Sequence, residues 1–261
     1  MTTQIRNSDL PNLVQTDGFR YGLWTEVIAG YQALPGLVGF WPMSSVQRST
    51  GAVYDLSGQS RTLTYNGNPT FSYTGLVPYI TFDGTGDYLS RADETDLDIV
   101  GSETIFNSST RGLTFGGWFY PTSVGAGLFG LMSKYASSQI SFLLYRSADT
   151  LSFTISNTGT ALVGTVNSST ALVANNWNFI VGRFTPSTET ALFNNDTKNT
   201  NTTSIPATIF NSTTAFEIGR YNSSNATCYT GRAALCFLSA NALSDSIING
   251  LYQRSRNLFG V

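Results

Sequence analysis

The hydrophobic pattern of this chain alternates over short segments, and the stretch GLTFGGWFYPT at 112–122 shows it most fully. Read as a strand, it places Leu113 and Phe119 on one face and Trp118 on the other. Because both faces carry large apolar side chains, we predict a central strand that is covered on both sides. The adjacent pair Gly116–Gly117 weakens a strand, so it predicts a bulge or a close approach of another backbone.

From residue 37 onwards the chain carries further short apolar segments that are separated by turn residues. Asp83, Gly84 and Gly86 indicate that YITFDGTGDYLSR is a hairpin-like unit. We expect residues 194–213, rich in Asn and Thr, to hold a short edge strand and loops. Many short strands at this spacing predict an all-β sandwich or jelly roll. The other segments interpreted as strands are GLVGFWPM, LFGLMSKY, QISFLLYR, TLSFTIS, ALVGTV, NNWNFIVGRFT, TALFNND, AFEIGRY and YTGRAALCFL.

Two segments have helical spacing instead. Residues 1–16 are predicted to form an extended polar arm, and Asp17 to cap a helix that ends before Pro35. One interpretation is that this helix packs on the sandwich. The other is that residues 1–36 form a docking segment for a neighbouring subunit, with contacts from Trp24, Val27, Ile28 and Tyr31. At the other end, Ser244 is predicted to cap a short helix that presents Ile247, Ile248, Leu251 and Tyr252 on one face.

The amino-acid composition argues against several classes of function. Only 11% of the 261 residues are charged, against roughly 25% in ordinary domains, and the net charge is −2 with no run of Lys or Arg. Nucleic-acid binding through a basic face is therefore not expected. The absence of histidine excludes Ser-His and Cys-His nucleophile systems and His-ligated zinc. A surface poor in charge suits contact with other subunits, so we expect a homo-oligomer.

The spacing of the two cysteines and the length of the apolar runs indicate whether disulfides, a membrane span or a secretion signal are expected. A strand between Cys228 and Cys236 would separate them by about 26 Å, whereas a disulfide needs Cα atoms within about 7 Å. We therefore predict two free thiols, with Cys236 buried. No apolar run approaches about 18 residues and the first residues lack an apolar core, so we expect neither a membrane span nor a secretion signal.

The order of these motifs resembles the laminin G-like, concanavalin A-like family of jelly-roll domains over about residues 37–256. The matching pieces, in order, are GFWPM, YDLSGQSRTLTYNG, ITFDGTGDYLS, LTFGGWFYPTS, the pair ISFLLYR and LSFTIS, NNWNFIVGRF, and the ending FEIGRY with YTGRAALCFLSANALSDSIINGLYQ. The resemblance implies two antiparallel sheets for residues 37–261, preceded by the arm and helix of residues 1–36.

The resemblance also implies candidate chemistry. Where members bind calcium, clustered aspartates do so, and the counterparts in this chain are Asp55, Asp83 and Asp87. We interpret them as turn residues and expect no metal or other cofactor. Retaining β-glucanases of similar topology use paired carboxylates on one strand. The nearest run in this sequence is Glu94, Asp96 and Asp98, which lacks apolar alternation and is interpreted as a solvated acidic loop without catalytic residues.

Two non-enzymatic functions remain. In a lectin, loop aromatic residues and amides would contact sugars, and the candidates are Tyr135, Tyr221, Tyr229 and Asn222. The layout also resembles accessory proteins of tailed-phage virions, such as capsid decorations, head spikes or tail-fibre components. This favoured hypothesis predicts assembly with other virion subunits through residues 1–36, exposure on the particle surface and adhesion to surface glycans. The alternatives are a free lectin module and, less favoured, a β-glucanase-like hydrolase.

Overall fold

The computed structural model describes residues 14–44, 46–47, 51–75, 77–99, 111–222 and 224–261. Within these ranges the chain forms two α-helices, α1 (Val14–Gln32) and α2 (Asp245–Phe259), and seventeen strands. The strands are β1 (Leu37–Trp41), β2 (Val46–Gln47), β3 (Ala52–Val53), β4 (Leu63–Asn66), β5 (Thr70–Thr74), β6 (Val77–Asp83), β7 (Tyr88–Arg91), β8 (Arg111–Pro121), β9 (Leu128–Ala136), β10 (Gln139–Ser147), β11 (Thr150–Ile155), β12 (Val163–Asn167), β13 (Asn178–Thr185), β14 (Glu189–Asn194), β15 (Thr197–Asn201), β16 (Phe216–Ile218) and β17 (Thr230–Asn241).

The strands form two antiparallel sheets, which confirms the predicted jelly-roll sandwich. The eight-stranded sheet has the order β15-β14-β13-β8-β17-β6-β5, and β1 also pairs with β17. The nine-stranded sheet has the order β12-β11-β10-β9-β16-β7-β4-β3-β2. As predicted, β15 is an edge strand. One large hydrophobic cluster fills the space between the sheets, and a second lies between the eight-stranded sheet and the helices.

Strand β8 lies in the middle of the eight-stranded sheet, between β13 and β17. Phe119 belongs to the cluster between the sheets and Trp118 to the cluster under the helices, so both faces are covered as predicted. A Cβ at Gly116 would lie 2.1 Å from the carbonyl oxygen of Ile180. The glycine is thus required by a close backbone approach, which is one of the two reasons anticipated from the sequence.

Helix α2 covers Trp118. The hydroxyl of Ser244 accepts a hydrogen bond from the backbone N–H of Ile247 at 3.3 Å, so the predicted N-cap is confirmed. On the buried side, the indole N–H of Trp118 donates to Ser255 at 3.0 Å, and its ring stacks on Phe259 with centroids 4.1 Å apart. These contacts fix the helix on the outer face of the sheet.

Helix α1 packs on the same face, as the first interpretation of this segment predicts, but its start and two of the docking candidates differ from expectation. It begins at Val14, so Asp17 lies within the helix and is not its N-cap; of the predicted arm, residues 1–13 lie outside the described residues. Tyr31 is fully buried, with its ring stacked on Phe40 at 4.8 Å, and Val27 is buried in the same cluster. These two docking candidates contact their own sandwich and are not accessible to a second chain. The other two docking candidates, Trp24 and Ile28, are half-buried.

The segment YITFDGTGDYLSR is not a hairpin, which corrects the expectation from its turn residues. Strand β6 belongs to the eight-stranded sheet and β7 to the nine-stranded sheet, so the chain crosses between sheets here. The carboxylate of Asp87 holds the crossing: it accepts from the backbone N–H of Asn68 at 2.6 Å and of Asp83 at 3.1 Å. The hydrogen bond to Asn68 thus ties the crossing between the sheets to a turn that is distant in sequence.

Both cysteines, Cys228 and Cys236, are free and buried, in agreement with the prediction. Burial raises the pKa of each thiol above its ordinary value. Among the described helices, none combines the length and apolar character of a membrane span.

Candidate ligand-binding face

The outer face of the nine-stranded sheet differs from that of its partner sheet, because both described helices lie on the eight-stranded sheet. In β10, Phe142 and Leu144 point into the core, so Leu143 points outwards; it belongs to neither hydrophobic cluster. Strand register then defines a row of outward side chains across six strands, in which every member except the leucine is polar. The row is Thr64, Ser90, Glu217, Ser133, Leu143 and Thr154, of which the last four are buried although they point away from the core.

Three tyrosines gather beside this row: Tyr135 from β9, Tyr145 from β10 and Tyr221 from the loop after β16. We call them the tyrosine cluster. The rings of Tyr135 and Tyr221 meet edge to face with centroids 5.3 Å apart. Burial raises the pKa of Tyr135 and of Tyr221, and the phenol of Tyr145 raises both further. Tyr145 is paired with Gly130, against which the backbone of Tyr221 packs, so Tyr145 and Tyr135 both lie beside Tyr221. The two hydroxyls with a raised pKa stay protonated at physiological pH.

A glycine allows the loop after β16 to cross the sheet. A Cβ at Gly130 would lie 2.5 Å from the carbonyl carbon of Arg220 and 2.7 Å from the backbone nitrogen of Tyr221. The hydroxyl of Ser133 donates to the carbonyl oxygen of Arg220 at 2.9 Å, and that of Thr227 donates to the carbonyl of Tyr221. The loop is thus held directly over β9, which delivers Tyr221 to Tyr135.

The charges near the cluster compensate one another. The guanidinium of Arg220 donates to both carboxylate oxygens of Glu217, with Nε–Oε2 at 3.1 Å, and lies over the ring of Tyr88 at 3.4 Å. Both side chains of this ion pair are largely buried. Beyond them, Ser152 donates to the amide oxygen of exposed Asn167 at 2.8 Å. The face therefore offers aromatic rings, hydroxyls and amides, with its cation already paired.

The structure brings some of the predicted sugar-binding residues together and separates another. Tyr135, which is half-buried, and Tyr221, which is 8% exposed, are neighbours, and exposed Asn222 follows Tyr221 in the chain. Tyr229 is fully buried between the sheets, 6.0 Å from the ring of Phe119, so it cannot contact a sugar. Tyr145 was missed because QISFLLYR looks like a core strand. Its alternation holds the signal, since inward Phe142 and Leu144 leave Tyr145 outward.

The acidic run Glu94, Asp96 and Asp98 lies in a loop with its side chains 32%, 52% and 22% exposed, in agreement with its interpretation, and it also forms ion pairs that the sequence did not indicate. Buried Arg61 contacts Glu94, with Nε–Oε1 at 3.0 Å outside hydrogen-bond geometry, and also pairs with Asp96. Buried Lys134 donates to Asp98 at 2.7 Å, and Asp93 lies equally close to it. These cations engage all three carboxylates that the glucanase hypothesis would need as acid and nucleophile.

The aspartates that were candidates for calcium organise backbone turns. Asp55 accepts from the backbone N–H groups of Phe40, Ser57 and Arg61 at 2.8–2.9 Å. Asp83 accepts from Thr85 at 2.6 Å, and Asp87 holds the crossing between the sheets. Within the described residues, no three side chains of the metal-ligating types stand together.

A second surface lies at the edge of the eight-stranded sheet. An aromatic pocket of about 360 Å³ is lined by Trp24 of α1, Phe71 and Tyr73 of edge strand β5, and Pro78. Tyr73 is 59% exposed, and its ring meets Phe71 edge to face at 5.3 Å. Trp24, a predicted docking residue, thus belongs to an apolar recess that is open to solvent.

The two antiparallel sheets and their strand order define a jelly-roll domain. A family model for the concanavalin A-like lectin/glucanases superfamily matches residues 83–248, and the chain belongs to this superfamily. The superfamily contains both binding domains and glycosidases, so membership alone does not decide between binding and hydrolysis. Searched against curated proteins, the sequence finds no match.

Solved structures show the same fold at low identity. The binding domain of botulinum neurotoxin DC, in complex with SialylT, aligns with a TM-score of 0.63 and 11% identity over 85% of this chain and 52% of that one. The binding domain of Paraclostridial Mosquitocidal Protein 1 aligns with a TM-score of 0.63 and 12% identity over 83% and 52%. A further structure of the neurotoxin DC domain is a complex with rat synaptotagmin II, at 12% identity and a TM-score of 0.62 over 84% and 51%. This chain therefore spans about half the length of these toxin domains.

Proposed function

We propose that the chain is a carbohydrate-binding domain and that the tyrosine cluster on the outer face of the nine-stranded sheet holds the sugar. The observation that carries the proposal is the position of half-buried Tyr135 and Tyr145 on the sheet face that neither described helix covers, with Tyr221, 8% exposed, packed against Tyr135. Tyrosine rings give rigid apolar contact area with a hydroxyl at the rim, which suits the alternating C–H and O–H faces of a pyranose.

Hydrogen bonding around the cluster supports the same ligand. Exposed Asn222 follows Tyr221, and exposed Asn167 is paired with Ser152, the neighbour of Tyr145 on the next strand, so both amides can offer donors and acceptors. A sugar site needs a few placed polar groups beside an apolar platform. Binding in structures of the same fold, where complexes with SialylT and synaptotagmin II are known, is consistent with a recognition role for this domain.

The proposal is tested on a glycan array with the wild-type chain and three tyrosine variants. Tyr135→Ala and Tyr145→Ala are expected to lose binding about tenfold or more, since truncation of an aromatic anchor costs on the order of 1–3 kcal/mol. Tyr73→Ala is the matched control, because Tyr73 is an exposed tyrosine of the same domain on β5. Thermal unfolding of each variant separates loss of the site from loss of the fold. Equal binding by all four proteins, or binding by none, would contradict the proposal.

Docking to a partner chain is the second candidate, and the aromatic pocket favours it. Trp24 and Tyr73 flank an apolar recess beside an exposed edge strand, a feature that marks interaction surfaces. In the virion hypothesis this recess, together with half-buried Ile28 of α1, would receive another subunit, and the tyrosine cluster would face outwards on the particle.

The partner hypothesis is tested by light scattering of the full chain. A homo-oligomer that Trp24→Ser converts into a folded monomer is the expected result. A wild-type monomer over the accessible concentration range would remove the support for self-assembly, and with it the simplest form of the virion hypothesis.

A further inference from the structure

The tyrosine cluster has a charge environment that selects among glycans. In the described strands of the nine-stranded sheet, the basic residues are Arg91, Lys134 and Arg146. Lys134 is opposite Phe142, so it points into the sandwich, where it meets Asp93 and Asp98. Arg146 shares the inward face of β10 with Leu144 and donates to the carbonyl of Ala148 at 2.8 Å. Arg91 alternates with outward Ser90 and pairs with Glu94. None of these cations faces the cluster.

The remaining cation, Arg220, is committed to Glu217. Burial alone would lower the pKa of Arg220, but the hydrogen bonds and charge of Glu217 outweigh that effect and raise it. The guanidinium also lies flat on Tyr88, which covers one of its faces. A ligand carboxylate that approached Arg220 would meet the carboxylate of Glu217 beside it. Exposed Asp149, in the turn between β10 and β11, adds negative charge at the end of β10 that carries Tyr145.

We infer that the tyrosine cluster takes neutral glycans and discriminates against glycans with a carboxylate, an inference that rests on the proposed carbohydrate-binding function. The physical reason is the cost of desolvating an anion where every nearby cation among the described residues already has a partner. Hydroxyl groups incur no such cost, because Tyr, Asn, Ser and Thr side chains can pair with them. The selectivity therefore comes from disfavouring anionic ligands. The site offers no counter-charge to a ligand carboxylate, and the carboxylate of Glu217 repels it.

The test uses matched pairs of glycans, each a neutral oligosaccharide and the same oligosaccharide terminated by sialic acid. Array signals are followed by titration calorimetry on the best pair. We expect the sialylated member to bind at least about tenfold more weakly than the neutral one. Equal or tighter binding of the sialylated member would overturn the inference and leave the proposed function intact. Binding of neither would overturn both.

The variant Glu217→Gln tests the stated cause. It removes the acid, keeps the shape of the side chain and releases the charge of Arg220, so the sialylated ligand should gain affinity several-fold while the neutral ligand changes less than about twofold. Glu189→Gln is the matched control, because Glu189 pairs with Arg183 and Lys198 on the eight-stranded sheet. A gain that appears equally in both variants would point to net charge and contradict the local explanation.

Discussion

Replacement of Tyr31 by alanine decides whether helix α1 belongs to the domain or serves as a docking segment. The ring is fully buried, stacked on Phe40 at 4.8 Å and edge-on to Phe237 at 5.5 Å. If the helix were a docking segment that leaves the sandwich independent, the substitution would change the stability of the isolated chain little. If it is a structural layer, truncation removes a ring from the centre of a hydrophobic cluster.

The expected magnitude follows from the burial. A buried tyrosine removes roughly 200 Å² from water, which at about 25 cal/mol/Å² is about 5 kcal/mol. This is an upper figure, because unfolded chains already bury part of their surface. Large-to-small replacement of core aromatics costs about 3–5 kcal/mol, including the cavity. We therefore expect Tyr31→Ala to lower the free energy of unfolding by about 3–5 kcal/mol.

Urea denaturation of the full chain, followed by tryptophan fluorescence, measures this loss. Tyr31→Phe is the control, since it keeps the ring and removes only the buried hydroxyl, so its stability should stay within about 1 kcal/mol of wild type. A loss below about 1 kcal/mol for the alanine variant, with an unchanged denaturant slope, would refute the assignment of α1 to the core.

Three further changes test other parts of the structure. Lys134→Ala should cost about 2–4 kcal/mol in urea denaturation, because it leaves Asp93 and Asp98 without their buried cation, and Lys134→Met should cost less because it keeps the apolar volume. Burial alone would raise the pKa of Asp245, but hydrogen bonds from Arg183 and Lys198 lower it. Its stabilisation is therefore present above the unfolded pKa of about 3.9 and is lost as pH falls through the lowered folded value. Since half of this side chain is exposed, Asp245→Asn should cost at most about 1 kcal/mol at pH 7 and give a flatter acid limb in pH-dependent melting. Gly130→Ala should displace the loop that carries Tyr221, so calorimetry should show weaker glycan binding, with a destabilisation of about 1–3 kcal/mol.

Strand alternation and capping predicted much of the fold. The opposite faces of Trp118 and Phe119, the close approach at Gly116 and the cap at Ser244 all follow from local patterns. The crossing at Asp83 could not be predicted in the same way. A D-G-T-G-D turn suits a hairpin equally well, but β6 pairs with β5 and β17 while β7 pairs with β4 and β16, and β16 and β17 are distant partners that no local pattern indicates.

The binding face was predicted less completely because it depends on which tyrosines point outwards. Tyr135 and Tyr221 were identified from composition, but the same reasoning selected Tyr229, whose ring lies between the sheets. Tyr145 could have been found from the alternation of its strand. The ion pair of the glucanase candidate Glu94 could not have been predicted, because its partner Arg61 is distant in sequence and no local pattern indicates the pair.

Nuclear magnetic resonance of the tyrosine-labelled chain, titrated with the strongest neutral glycan from the array, would show directly whether the tyrosine cluster holds the sugar. We predict shifts in the ring signals of Tyr135, Tyr145 and Tyr221, with those of Tyr73 unchanged. Shifts confined to Tyr73, at the aromatic pocket, would contradict the proposed site and place the ligand on the opposite sheet.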